Sequence, residues 1–201
     1  MKLLYPLFII IIIICLLPLF VFLAVLIVLA SGLPILYSQK RIGKNGKPFM
    51  MYKFRTMHTN AESEQKKYQR QNEADGPVFK IHDDPRLTTI GKFLSHTGLD
   101  ELPQLYNVIC GDMALIGPRP LPVGEAYKLT KWQKERQNGK PGIISPWILE
   151  GYHKQSFDNW MKSDIVYIQK KSLPTDFIIV CRMCYFLIGL IIHEITLKSA
   201  G

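Results

Sequence analysis

Two adjacent carboxylates, Asp100 and Glu101, stand in the run Thr97-Gly-Leu-Asp-Glu-Leu-Pro-Gln-Leu-Tyr-Asn107, and Gly117-Pro-Arg-Pro120 follows shortly after. Such a pair can share a Mg²⁺ that bridges phosphate oxygens. An aspartate can also be the nucleophile of a phosphoryl intermediate. Arg119, between two prolines, has a backbone of little freedom and a guanidinium that binds phosphate bidentately. Lys53 and Arg55, separated by Phe54, fall on one side if their segment is a strand. Together these residue types fit a carboxylate acting on a phosphate or diphosphate. Acidic residues in a first helical turn are also ordinary caps, so the pair alone decides nothing. Glycoside hydrolysis places its two carboxylates across a scissile bond, which a sequence-adjacent pair fits poorly. The chain has no Walker loop and no Gly-x-Ser-x-Gly.

The elements that must position these residues are legible in part. Gly98 permits a tight turn, and Pro103 is tolerated only in a first helical turn, which puts Asp100 and Glu101 at a helix N-terminus. Helical patterns start at Leu87 and at Gly98. A third, amphipathic and exposed, covers Val123–Gln137 with Lys128, Lys131, Lys134 and Arg136, and Gly139-Lys-Pro-Gly142 ends it. Phe157–Lys170 and Phe177–His193 read as helices, the last interfacial because Asp176, Arg182 and His193 punctuate it. Ile35–Ile42 and Pro48–Arg55 alternate as short strands about Gly43–Gly46. His58–Glu73 reads as a polar surface segment.

Between Lys2 and Lys40 there is no charged residue. Leu3–Ala30 is a 28-residue apolar stretch, about 42 Å as one helix against the roughly 30 Å of a hydrocarbon core. It is too long for the apolar part of a cleaved leader. Lys40, Arg41, Lys44, Lys47, Lys53 and Arg55 follow it with no acidic residue before Glu62, so the bulk of the chain is expected in the cytoplasm. The same cations suit anionic lipid headgroups, in line with a net charge of +9. Nucleic acid is the rival explanation for a basic balance, and proximity to lipid weighs against it, so no nucleic-acid partner is expected. The four cysteines lie in apolar surroundings, and Cys181-Arg-Met-Cys184 has no second pair to complete a metal site. Pro18, mid-way in the apolar stretch, should kink the helix; the residues alone slightly favour simple spanning.

The run Leu99–Pro120 resembles the signature of the bacterial sugar transferases, the small monotopic phosphoglycosyl transferases. Tyr52-Lys-Phe-Arg-Thr-Met57, Gly76-Pro-Val-Phe-Lys-Ile81, Asp84-Pro-Arg-Leu-Thr88, Lys140-Pro-Gly-Ile143 and Asp164–Asp176 are similar to further blocks in the same order. The resemblance implies an α/β, mostly α, fold. Residues 1–34 would form a re-entrant membrane helix broken near Pro18, and residues 35–201 a cytoplasmic catalytic domain with short strands and an interfacial helix at about 177–193. It implies transfer of a sugar-1-phosphate from a UDP-sugar to a polyprenyl (undecaprenyl) phosphate, with release of UMP. That reaction, at the cytoplasmic face of a bacterial inner membrane, would initiate surface polysaccharide or glycoconjugate synthesis. By position, Asp100 would be the nucleophile and touch Mg²⁺, with Glu101 its partner. Arg119 would bind phosphate, and Lys53, Arg55 and Asp164 would support the site. Implied partners are the two substrates and anionic lipids, with a second copy of the chain or downstream glycosyltransferases left open.

The chain departs from the family pattern in places. Leu17 stands where a serine often precedes the proline, and Ser95 and His96 stand where an arginine is common. Ser145-Pro-Trp-Ile-Leu-Glu-Gly-Tyr152, with His153 and Lys154, replaces a segment with a glutamine and an arginine. Donor selectivity is therefore expected between Ser145 and Lys154. A non-catalytic membrane-bound homologue that binds lipid or recruits a partner glycosyltransferase is the alternative.

Overall fold

The computed structural model describes residues 4–150 and 156–199, which fall into two compact units. Among the described residues, the first comprises 4–38, Tyr52–Ala74 and Phe79–Cys110; the second comprises Gln39–Met51, Asp75–Val78, 111–150 and 156–199. Short strands and many helices agree with the mostly helical α/β expectation.

In the first unit, the uninterrupted apolar stretch forms α1 (Leu4–Ser31), the one described helix long and apolar enough to cross a membrane. Pro18 lies inside this single helix. The expected break is thus not a division into two elements: a proline removes one donor, and the turns on either side keep theirs. Two turns of α1 pack inward, where Leu23 and Ile27 join Phe54 and Leu94 in a core. Leu7, Phe8, Ile11, Ile14, Val21 and Phe22 stay exposed, an apolar strip suited to lipid. The helix closes cleanly: Ser31 Oγ donates to Ile27 O at 3.1 Å and Gly32 N to Val28 O at 2.8 Å.

The hairpin of β1 (Leu36–Ile42) and β2 (Pro48–Phe54) forms as expected about a tight turn at Lys44–Gly46. The polar segment after it holds α2 (Ala61–Glu64) and a 3₁₀ stretch, Gln65–Gln71. Thr88 caps α3 (Thr89–Thr97), its hydroxyl accepting from Gly91 N at 2.9 Å. A 3₁₀ turn, Leu99–Glu101, and α4 (Gln104–Ile109) complete the unit.

The second unit is built on a small parallel pair. β3 (Ala114–Ile116) aligns with β4 (Gly142–Ile144), Ala114 opposite Gly142 and Ile116 opposite Ile144. Just beyond β3, a Cβ on Gly117 would lie 2.4 Å from Lys140 O, and one on Gly142 would lie 2.0 Å from Gly117 N. Only glycines let the Gly117-Pro-Arg-Pro and Lys-Pro-Gly142 motifs touch backbone to backbone. The expected Val123–Gln137 helix is instead α5 (Val123–Ala126) and a 3₁₀ stretch, Gln133–Asn138. Gln133 Oε1 accepts from Thr130 N at 2.9 Å, drawing that amide away from a helical ladder. α6 (Phe157–Lys170) has the expected bounds, capped by Ser156, while α7 (Leu173–Ser199) starts before Phe177. α7 buries Ile179 and Met183 and exposes Leu173, Phe177, Ile178, Tyr185 and Ile188. His193 and its interfacial role lie outside the described side chains. The cysteines at 15, 110, 181 and 184 are unpaired and exposed.

Candidate active site

Asp100 owes its place to Gly98. With φ +72°, Gly98 stops α3 and turns the chain into the Leu99–Glu101 turn, while Leu99 and Leu102 anchor on the Leu94 core. Asp100 is thereby buried, at 5% exposure, and Glu101 half-buried. The two carboxylates do not open an α-helix as expected. Pro103 precedes the first residue of α4, and the acidic pair sits in a separate 3₁₀ turn before it. Lys53 stands beside Asp100: its Nζ lies 3.9 Å from Asp100 Oδ2 and 5.6 Å from the Tyr37 ring centroid. That separation is an ion pair too long for a hydrogen bond. Buried Asn107 secures this arrangement, its Oδ1 accepting from Tyr52 N at 3.2 Å and so tying α4 to the strand that carries Lys53. Sequence reasoning passed over Asn107, although it closes the Asp100 motif.

Lys53 and Arg55 reach different partners. Arg55 Nη2 donates to Ser31 O and Gly32 O at 2.7 Å each and to Ser31 Oγ at 3.0 Å, where the α1 carbonyls carry partial negative charge. Its Nε and Nη1 are buried without a hydrogen-bond partner. His96 lies against His82, the rings stacked at 4.9 Å, with Nε2 3.3 Å from His82 O. Asp84 and Arg86 form a buried bidentate pair, at 2.9 Å through Nε and 2.6 Å through Nη2, and Arg86 Nη1 donates to Ala61 O. Burial pushes the Asp84 carboxyl up, but the Arg86 hydrogen bonds outweigh it and hold the group below its ordinary range. Arg86 is raised in turn, chiefly by its hydrogen bonds to Asp84.

In the second unit, Arg119 is half-buried in the proline turn after β3. Asp164, fully buried on α6, accepts from Arg136 Nε at 2.9 Å and again from Arg136 Nη2. Arg136 Nη2 also donates to Arg119 O at 2.6 Å. Arg136 was expected on an exposed face, yet it is 4% exposed and lies 5.6 Å over the Trp160 ring. Its surroundings, a run of surface lysines, hid it. Trp147 is buried and stacks on Trp160 at 5.9 Å. Of the segment where selectivity is expected, residues 151–154 lie outside the described residues.

No cluster of three or more His, Cys, Asp or Glu side chains that could hold a metal occurs among the described residues. Asp100 and Glu101 offer only hard oxygen donors in one short turn. That set suits a cation such as Mg²⁺, which takes one or two carboxylates and fills its shell with phosphate oxygens and water.

Residues 2–189 match the family model described as bacterial sugar transferase. The chain belongs to that family. All the candidate residues of this sugar transferase lie within the match. It is 45% identical over 147 residues to "Galactosyl transferase CpsE" of Streptococcus agalactiae, covering 73% of this chain and 33% of the relative. It is 34% identical over 160 residues to "Undecaprenyl-phosphate galactose phosphotransferase" of Salmonella typhimurium, covering 76% of this chain and 33% of that protein. To "Putative undecaprenyl-phosphate N-acetylgalactosaminyl 1-phosphate transferase" of Bacillus subtilis it is 43% identical over 149 residues, covering 74% and 73%. The chain therefore spans about a third of the length of the first two relatives.

Proposed function

We propose that this sugar transferase moves a sugar-1-phosphate from a UDP-sugar to a polyprenyl phosphate in two displacements through Asp100. In the first, an Asp100 carboxylate oxygen attacks the sugar-bearing phosphorus. The bond to the bridging oxygen breaks, UMP leaves with the electron pair, and an acyl phosphate carrying the sugar remains. In the second, an oxygen of the polyprenyl phosphate attacks that phosphorus. The acyl–phosphate bond breaks, Asp100 returns as a carboxylate, and polyprenyl diphosphate-sugar is formed.

The observation that carries this reading is a buried Asp100 with the Lys53 ammonium 3.9 Å away, inside the matched region. A cation at that distance favours the anionic nucleophile by charge rather than by a hydrogen bond of its own. Glu101 aids proton handling or placement of the acceptor phosphate. Arg119 binds donor phosphate, and Asp164 supports the site through the Arg136 contact. A Mg²⁺ held by Asp100, with Glu101 beside it, would neutralise diphosphate charge when bound.

The membrane reading places the protein at the cytoplasmic face of a bacterial inner membrane, with α1 re-entrant. Support for this comes from packing: the portion of α1 from Leu19 onward joins a protein core. The portion before it is about 22 Å long, short of a roughly 30 Å hydrocarbon core. The basic residues that follow α1 suit anionic lipid on the same face.

The test uses purified protein in lipid nanodiscs with undecaprenyl phosphate and a panel of labelled UDP-sugars. UDP-galactose and UDP-N-acetylgalactosamine come first because the relatives' names carry those sugars. The expected result is labelled polyprenyl diphosphate-sugar, equimolar UMP, and a trapped sugar-phosphate adduct on Asp100. Donor consumption with no adduct on that residue would refute the mechanism. A folded protein inert to every donor would favour the non-catalytic alternative.

A further inference from the structure

Four successive carbonyls of the turn that carries Arg119 are bound. Gly142 N donates to Pro118 O at 3.1 Å, and Ile42 N donates to Leu121 O at 3.0 Å. Between them, Arg136 Nη2 donates to Arg119 O at 2.6 Å and Arg41 Nη1 to Pro120 O at 2.9 Å. A turn with two prolines already has little freedom. Two charged donors on its central carbonyls remove most of what is left.

Arg136 is itself aimed. Its Nε and Nη2 both reach Asp164 Oδ2, Ser145 Oγ lies 3.4 Å from Asp164 Oδ1, and the Trp160 ring lies 5.6 Å from the guanidinium carbon. Asp164 and Ser145 are fully buried. A buried Arg–Asp pair is a poor device for stability alone, since apolar residues of like volume do as well or better. Here Nη2 is shared between the carboxylate and Arg119 O, so any change in the pair reaches the main chain at residue 119.

We infer that Arg136 is a positioning residue for Arg119. Asp164 orients it and Arg41 is a second clasp, and together they fix the backbone from which the Arg119 guanidinium meets phosphate. The inference rests on the reading of Arg119 as a phosphate ligand. A lysine at 136 keeps the charge but loses the planar fork that serves two acceptors at once.

The experiment is a double-mutant cycle with an exchange readout, on the full chain in nanodiscs. Arg136→Lys should lower kcat/KM by roughly tenfold in the parent and by less than about twofold in an Arg119→Ala background. Hydrogen exchange at the amides of Gly117, Arg119 and Leu121 should quicken in Arg136→Lys, while that of α3 should not. Asp164→Asn, which keeps the volume and an acceptor, is the second variant should Arg136→Lys fold poorly, and it should show the same pattern. Equal losses in both backgrounds, or unchanged exchange at Gly117, Arg119 and Leu121 in both variants, overturns the inference. If the parent transfers no sugar to any acceptor, the functional reading fails. The exchange measurement still decides whether Arg136 holds the turn.

Discussion

Asp100 in the first unit and Asp164 in the second are both buried carboxylates, and their basic neighbours meet them differently. Asp164 takes direct hydrogen bonds from the Arg136 fork and has no solvent exposure. Asp100 sits in a 3₁₀ turn with the Lys53 ammonium at 3.9 Å, past hydrogen-bond reach. A carboxylate fixed by a planar fork is a scaffold, because its oxygens are committed and removing it strands a cation. A carboxylate beside a more distant ammonium has its charge stabilised by that ammonium without a hydrogen bond to it. The difference lies in arginine against lysine and in about an ångström of separation, not in burial.

The largest effect that would sharpen this contrast is at Asp100. Asp100→Asn should cut transfer by on the order of 10⁴-fold or more and leave the denaturation midpoint nearly unchanged. Full activity in that variant would break the comparison at its root. Asp164→Ala should differ in adding a large loss of stability, about 3–5 kcal/mol, as Arg136 is left buried and unpaired. Chemical denaturation of the purified protein reads this directly, and a loss below about 1 kcal/mol would show that Asp164 is no scaffold. Arg119→Ala should fall between them in character, lowering the rate by about 10²–10³-fold through a lost charge-assisted phosphate contact. Its melting curve should match the parent, and unchanged kinetics would remove Arg119 from the site.

How much of this was legible depended on length and pattern. The hairpin about Gly43–Gly46, the Phe157–Lys170 helix and the apolar α1 each have a long local signature, and all three are present. β3 and β4 were not foreseen, because three residues each give no periodicity and their pairing depends on the Gly117–Gly142 contact. Val123–Gln137 misled for a related reason. Its lysines read as a solvated helical face, while Gln133 and Arg136 turn inward to partners on α6. The candidate site was visible as motifs, with Asp100 and Lys53 brought together by a strand and a turn that the sequence marks. The clasp on Arg119 was not visible, since its bonds go to main-chain carbonyls and carry no residue signature.

Asp84 and Arg86 bring the locked kind of pair into the first unit, and they give the comparison its smallest and most specific test. Their bidentate contact resembles that of Asp164 more than that of Asp100. The folded Asp84 carboxyl is held below its ordinary value of 3.8, so its contribution to stability is present above that pH and is lost as pH falls through the folded pKa. Asp84→Asn should therefore cost about 3 kcal/mol at neutral pH, because Arg86 loses its anion. The gap between parent and variant should stay constant down to about pH 4 and then close as Asp84 in the parent takes up its proton. Denaturation midpoints measured from pH 7 downward read that closure. A gap that persists at the acid end would mean the carboxylate charge contributes nothing. The pair would then act through shape alone, and the distinction between a locked and a poised aspartate would no longer rest on electrostatics.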